Sequence, residues 1–213
     1  MKLWGRASSF NVQKVLWLLH ELGLEFEHEQ VGGAFGGLKD PAFLRMNPHG
    51  RVPVLRDGDT IVWESHSVLR YLGARYGTDS LWPADPAARS RVERWMDWSL
   101  ASLQPAFMRL FCGYFRTPPE RWDPTGLKPV IDECDRLFAL LDRELASRAY
   151  LAGADFTLAD IPAGTTLYRY FGVGIPVPRR PNVDAWYERL RARDAYRRAI
   201  MVPFEELRGR MDY

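Results

Sequence analysis

The chain has 213 residues, 46% of them hydrophobic, with 29 Lys and Arg against 27 Asp and Glu for a formal charge of +2. This is the make-up of an ordinary folded protein, long enough for one large domain or two small ones around a good core. A charge so small excludes partners held by bulk electrostatics, such as nucleic acid or an anionic membrane, so specificity has to come from a defined site.

In chain order, residues 1–5 (M-K-L-W-G) read as a short strand. Residues 10–22 read as a helix, because Val12, Val15, Leu16, Leu19 and Leu22 make one apolar stripe. The densest apolar run there, from Val15 to Leu19, stops at His20-Glu21, far short of the roughly 20 residues that cross a bilayer. With no cleavable leader pattern after Lys2, a cytoplasmic location is expected. Residues 26–31 suit a second strand and 41–46 a short helix. Val54-Leu55 and residues 60–63 suit a hairpin turning at Asp57-Gly58, and residues 65–76 a last helix. The order βαβαββα marks an α/β unit over residues 1–79, followed by a linker over 80–88.

After Tyr76 the pattern changes. Asp85-Pro86 is a helix cap followed by proline at the first helical position, and residues 89–213 are expected to be all helical. Helices are expected over 87–114 with a kink at Pro105, then over 129–146, 158–170, 182–191 and 195–200. In F-T-L-A-D (residues 156–160), Thr157 and Asp160 form a capping box with a hydrophobic staple from Phe156 to Ile161. Trp95 and Trp98, three apart on one helix, suit packing at an inter-domain or subunit contact. Cys112 and Cys134 lack the spacing of a redox pair or a zinc site and are expected in the core, with no metal. The arginines between 179 and 198 alternate with Asp184, Glu188 and Asp194, as on a solvated helix face.

The stretch N-P-H-G-R-V-P-V-L-R-D-G-D-T-I-V-W-E-S (residues 47–65) puts Pro53 at the head of a strand. Proline is tolerated there because the first residue need not donate to the ladder. The N–H and C=O of Val52 are then left for a partner, and the natural one is another peptide backbone; a proline marking a strand end and nothing more is the alternative.

Taken together, N-P-x-G-x-V-P-x-L leading to E-S, the α/β unit before it, the all-helical half with F-T-L-A-D and the closing R-P-N-V-D-A-W-Y-E-R-L resemble the cytosolic glutathione transferases over nearly the whole chain. The resemblance implies a thioredoxin-like N-terminal domain and a helical bundle, usually as a homodimer. It also implies that Val52, before a cis Pro53, binds the cysteinyl backbone of glutathione. Ser65 and the free N–H groups of the helix it opens would take the γ-glutamyl carboxylate, and Glu64 the ammonium. Lys39 and Arg51, with His49 as a third candidate, would take the glycyl carboxylate.

In that family the catalytic residue lies in the loop after the first strand, here G-R-A-S-S-F-N. Ser9 with Asn11 resembles the Ser/Thr-x-Asn loop of bacterial-type, theta- or nu-like members, and Ser8 is the rival donor. Phe10 stands where thiol-dependent classes carry cysteine, and no tyrosine occurs in the loop. No base in the loop is placed to activate the serine as a nucleophile, so it would donate a hydrogen bond to the glutathione thiolate. Lowering a thiol pKa from about 8.5 to about 6.5 takes about 2.7 kcal/mol. One hydrogen bond to a charged acceptor contributes about 1.5 to 3 kcal/mol, and the helix N-terminus about 0.3 to 1. The resemblance implies conjugation of glutathione to a small hydrophobic electrophile under Phe35, Phe107 and Phe111. Glutathione-dependent reduction of peroxides or disulfides is the enzymatic alternative, and a non-catalytic ligand-binding or assembly module the third reading.

Overall fold

The computed structural model describes residues 1–211. Strands β1 (Lys2–Trp4), β2 (Glu27–Glu29), β3 (Val54–Asp57) and β4 (Thr60–Trp63) form one sheet in the order β2-β1-β3-β4. β1 runs parallel to β2 and antiparallel to β3, which pairs antiparallel with β4. The two-residue hairpin loop is Gly58-Asp59, and Gly58 takes the positive φ of 57° that favours glycine.

Alternate strand residues face opposite sides of the sheet, and each side has its own cover. Leu3 and Leu55 join the main core with helices α1 (Phe10–Glu21) and α3 (Ser65–Tyr76). Their neighbours Trp4 and Val54 turn the other way and pack with Phe43 of the short helix α2 (Pro41–Met46). β2 is three residues long rather than the six expected.

The helical half contains α4 (Pro86–Trp98), α5 (Gln104–Leu110), α6 (Pro124–Leu145), α7 (Asp160–Gly172), α8 (Pro181–Arg191) and α9 (Asp194–Ala199). Asp85 caps α4 by accepting the Ala88 N–H at 2.7 Å. The kink expected at Pro105 takes a different form. A π-helical turn over Ser99–Leu103 precedes α5 and a second over Phe111–Arg116 follows it. The backbone stays helical through Leu103 and Gln104, so Pro105, which has no N–H to donate, is accommodated inside the run by the wider turn before it. α6 starts five residues before the expected Pro129, because Asp123 caps it by accepting the Thr125 N–H at 3.0 Å, and Pro129 lies inside the helix.

The expected cap at Thr157 is present: its Oγ1 accepts the Ala159 N–H at 3.2 Å, and Asp160 accepts the Thr157 N–H at 3.0 Å in return. Asp160 does more than close this box. Fully buried, it also accepts the Leu151 N–H at 2.9 Å and Trp186 Nε1–H of α8 at 3.0 Å. Burial still pushes its carboxyl up to about 6. Trp95 and Trp98 meet edge to face at 5.4 Å beside Leu140 of α6, a contact within the helical half.

One core runs through both halves. α1 packs on α3 on one side and on α7 and α9 on the other, so every residue from Val12 to Leu19 is buried, well beyond the predicted stripe.

Candidate active site

The loop from β1 to α1 faces the segment before β3. Gly5, at φ 147°, allows the approach: a Cβ there would lie 2.4 Å from Val12 Cγ2 and 3.1 Å from Val52 Cβ. Between them opens a cavity of about 420 Å³, with Ser8, Ser9, Asn11, Arg51 and Val52 on one wall and side chains of α5, α7 and the segments after α5 and α9 on the other. The Val52-Pro53 bond is cis, and β3 begins only at Val54, so the Val52 backbone stands outside the sheet ladder. Asn47, nearly fully buried, holds this loop by donating Nδ2–H to the Arg51 carbonyl at 2.8 Å and accepting the His49 N–H at 3.1 Å.

Ser9 occupies the N-cap position of α1, yet its side chain makes no capping bond. The hydroxyl therefore stays available at the positive end of the helix. Asn11 is fixed by what surrounds its carboxamide. Lys14 Nζ lies 3.0 Å from Asn11 Oδ1, and an ammonium only donates, so the oxygen faces inward. Gln104 Nε2 at 3.3 Å and Ser65 Oγ at 3.5 Å approach the same oxygen, which leaves the NH₂ of Asn11 for the cavity that Asn11 lines.

Lys14 is the unexpected member of the site. It is entirely buried, with its three N–H donors directed at Asn11 Oδ1, Gln104 Oε1 at 2.6 Å and His66 Nε2 at 3.3 Å. Burial lowers its pKa to about 7, with Glu64 acting in the opposite sense. Burial and the neighbouring Lys14 push His66 down to about 2, so the imidazole is neutral and its Nε2 accepts. Glu64, directly before α3, is the one described non-glycine residue with positive φ, at 67°. Such a backbone costs of the order of 1 to 3 kcal/mol and collects at functional sites. No side chain caps the first turn of α3, so by helix geometry its leading N–H groups lack an intrahelical acceptor.

Ser8, Ser9, Asn11, Arg51, Val52 and Phe111 share the cavity. Ser65 is one hydrogen bond behind it through Asn11. Lys39 and His49 are not on its wall: His49 lies against Trp63 at 5.4 Å. The expected aromatic pocket is corrected in two places. Phe107 is fully buried between Phe10 and Phe111, at 5.5 and 5.7 Å, and gives the cavity no surface. Phe35 is 59% exposed in the loop after β2. Sequence reasoning missed Lys14, His66 and Gln104, and also Arg6, Arg116 and Arg169, which line the cavity. Burial pushes the Cys134 thiol up to about 12, so it is no competing nucleophile.

The family profiles "Glutathione S-transferase, N-terminal domain" and "Glutathione S-transferase, C-terminal domain" match residues 3–80 and 111–189. The chain is 45% identical over 203 residues to glutathione S-transferase GstB of Escherichia coli, covering 94% of this chain and 98% of that one. It is 34% identical over 210 residues to glutathione S-transferase 3 of Zea mays, covering 94% and 93%. The fold superposes with a TM-score of 0.90 on the theta class glutathione S-transferase of Xanthomonas axonopodis pv. citri with glutathione bound, at 41% identity over 95% of this chain and 97% of that one. This chain therefore belongs to the glutathione S-transferase family.

Proposed function

We propose that the protein is a glutathione transferase. It binds glutathione along the Val52 segment and the start of α3, and holds the thiol as thiolate against Ser9 and Asn11 for attack on a small electrophile. The observation that carries this reading is the pairing of two donors at the start of α1. The Ser9 hydroxyl is not used in capping, and the Asn11 carboxamide has its oxygen held inward by Lys14. Two such donors and the helix terminus together match the roughly 2.7 kcal/mol that a two-unit drop in thiol pKa requires.

In this reading Val52, before Pro53, pairs with the cysteinyl backbone. The first turn of α3 with Ser65 takes the γ-glutamyl carboxylate, and Glu64 the ammonium. Arg51 takes the glycyl carboxylate, with Lys39 outside the cavity wall as a second cation. Met108 offers apolar surface to the electrophile, with Phe111 at the cavity edge but only 1% exposed. Residues 1–79 are taken as the glutathione-binding domain, and the linker expected over 80–88 ends where α4 begins at Pro86 and opens the helical domain. The protein acts as a cytoplasmic homodimer, a location in keeping with its two free cysteines.

The test is calorimetric binding of reduced glutathione followed by parallel conjugation and peroxide-reduction assays. The expected outcome is binding with conjugation of an aryl halide. Binding with peroxide reduction alone, or with no turnover, contradicts the transferase reading.

A further inference from the structure

A buried ammonium stands directly behind Asn11. Lys14 has no exposed surface, and its three hydrogen-bond partners, Asn11 Oδ1 at 3.0 Å, Gln104 Oε1 at 2.6 Å and His66 Nε2 at 3.3 Å, are all neutral groups. The ring of Phe10 lies 4.8 Å away on a further side. Glu64, before α3, favours the charged form of Lys14, while Lys14 and Arg70 of α3 both act against a charge on His66. A cation buried among neutral partners is unfavourable for the fold, and a group so displaced from its ordinary chemistry beside a cleft points to a role beyond packing.

The charge constrains the two amides it touches. An ammonium has three donors and no acceptor, so Asn11 and Gln104 can each present only an oxygen to it. Half a turn of either carboxamide would set an NH₂ against the NH₃⁺. With its Oε1 fixed on Lys14, Gln104 donates Nε2–H to Asn11 Oδ1 at 3.3 Å, and the Ser65 hydroxyl donates to the same oxygen at 3.5 Å. The oxygen of Asn11 is thus held by three donors from α1, α3 and α5, and its NH₂ faces the cavity. A neutral side chain of the same length would leave the carboxamide free to turn, and an oxygen turned toward a thiolate repels it.

We infer that Lys14 is a positioning residue for the transfer reaction: its charge locks the Asn11 carboxamide with the NH₂ toward the glutathione sulfur and so favours the thiolate. The inference rests on the reading that Ser9 and Asn11 hold that sulfur, and it names the group that decides which end of Asn11 the sulfur meets. Lys14 touches no substrate and acts through Asn11. The effect is reciprocal. Lys14 titrates at about 7, so near neutral pH it is partly charged in the free protein. A thiolate in front of Asn11 favours the charged form, and the charged form favours the thiolate by the same factor.

The test titrates the thiol of bound glutathione by its thiolate absorbance in the unaltered protein, Lys14→Met, Asn11→Ala and the double variant. The expected result is a thiol pKa higher by at least about one unit in Lys14→Met. In the Asn11→Ala background the same change is expected to add less than about 0.3 unit, because Lys14 acts through Asn11. Calorimetry with S-methylglutathione, which has no thiol to ionise, separates this role from a structural one: its affinity is expected to stay within about threefold in Lys14→Met. Should the methionine variant fail to fold, Lys14→Gln is read in its place. There the expected rise is at least about half a unit, since a carboxamide can present either end to Asn11. A folded variant with an unchanged thiol pKa, an effect of Lys14→Met that persists in full without Asn11, or an S-methylglutathione affinity that falls as far as that of glutathione overturns the inference. A thiol pKa that rises in Ser9→Ala and in neither Lys14 variant overturns it while leaving the transferase reading in place. Failure of glutathione to bind the unaltered protein overturns that reading, and this inference with it.

Discussion

At the residue scale, the part of the site that could be read in the sequence is the part carried by the backbone. Ser9, Asn11 and Val52 occupy positions fixed by a strand end, a helix start and a proline, and local sequence marks all three. Lys14 could not be found this way. A lysine between Gln13 and Val15 reads as the solvated side of an amphipathic helix, and only the approach of His66 from α3 and Gln104 from α5 encloses that side. Arg169 left a weak trace: a single cation among Leu167, Tyr168, Tyr170 and Phe171 is out of place in an apolar run.

Lys14 also gives a pH dependence of defined sign. Its pKa is about 7 in the folded protein against an ordinary 10.5. Below pH 7 both states carry the proton, and the folded state bears the cost of a buried charge. From pH 7 to 10.5 the unfolded chain binds more protons, so this group adds stability as pH rises. Urea melts at pH 7, 8 and 9 are expected to show the unaltered protein gaining about 1.4 kcal/mol per pH unit relative to Lys14→Met. Parallel pH profiles for the two proteins would rule this out.

At the element scale, helix identities were readable from apolar spacing and caps, whereas several boundaries were not. Two competing proline signals explain the main errors. Pro129 reads as a helix start, yet Asp123-Pro124 is the stronger start because Asp123 supplies a side-chain cap and Pro129 does not. Pro105 reads as a kink, yet a π turn absorbs it. The same π turns bracket α5 where Gln104 and Arg116 reach the cavity, in line with the concentration of such turns at functional sites.

The cap of α7 sets two variants apart. Thr157→Ala removes one N-cap acceptor and is expected to cost about 1 kcal/mol. Asp160→Ala leaves the N–H groups of Leu151, Thr157 and Trp186 without their acceptor in the core and is expected to cost at least about 3 kcal/mol. Urea midpoints for both variants check the order; equal losses would reduce Asp160 to an ordinary capping residue.

At the scale of the whole molecule, the α/β and all-helical halves are legible in the sequence because period-2 and period-3.6 patterns do not mix along it. Their union is not, since no sequence pattern states that α1 lies between α3 and the α7–α9 pair. That union makes the site. Asn11 from one half is held by Lys14 together with Gln104 from the other, and Arg169 of α7 reaches the Ser8 carbonyl. The family's glutathione chemistry is thus proposed to work in a cleft that neither half encloses alone.

The most direct measurement follows the absorbance of the glutathione thiolate bound to the protein as pH is raised, in the unaltered chain and in Ser9→Ala. The account predicts a bound thiol pKa near 6.5, rising by at least about one unit in the variant. A bound thiol that titrates near 8.5 in both proteins would contradict it.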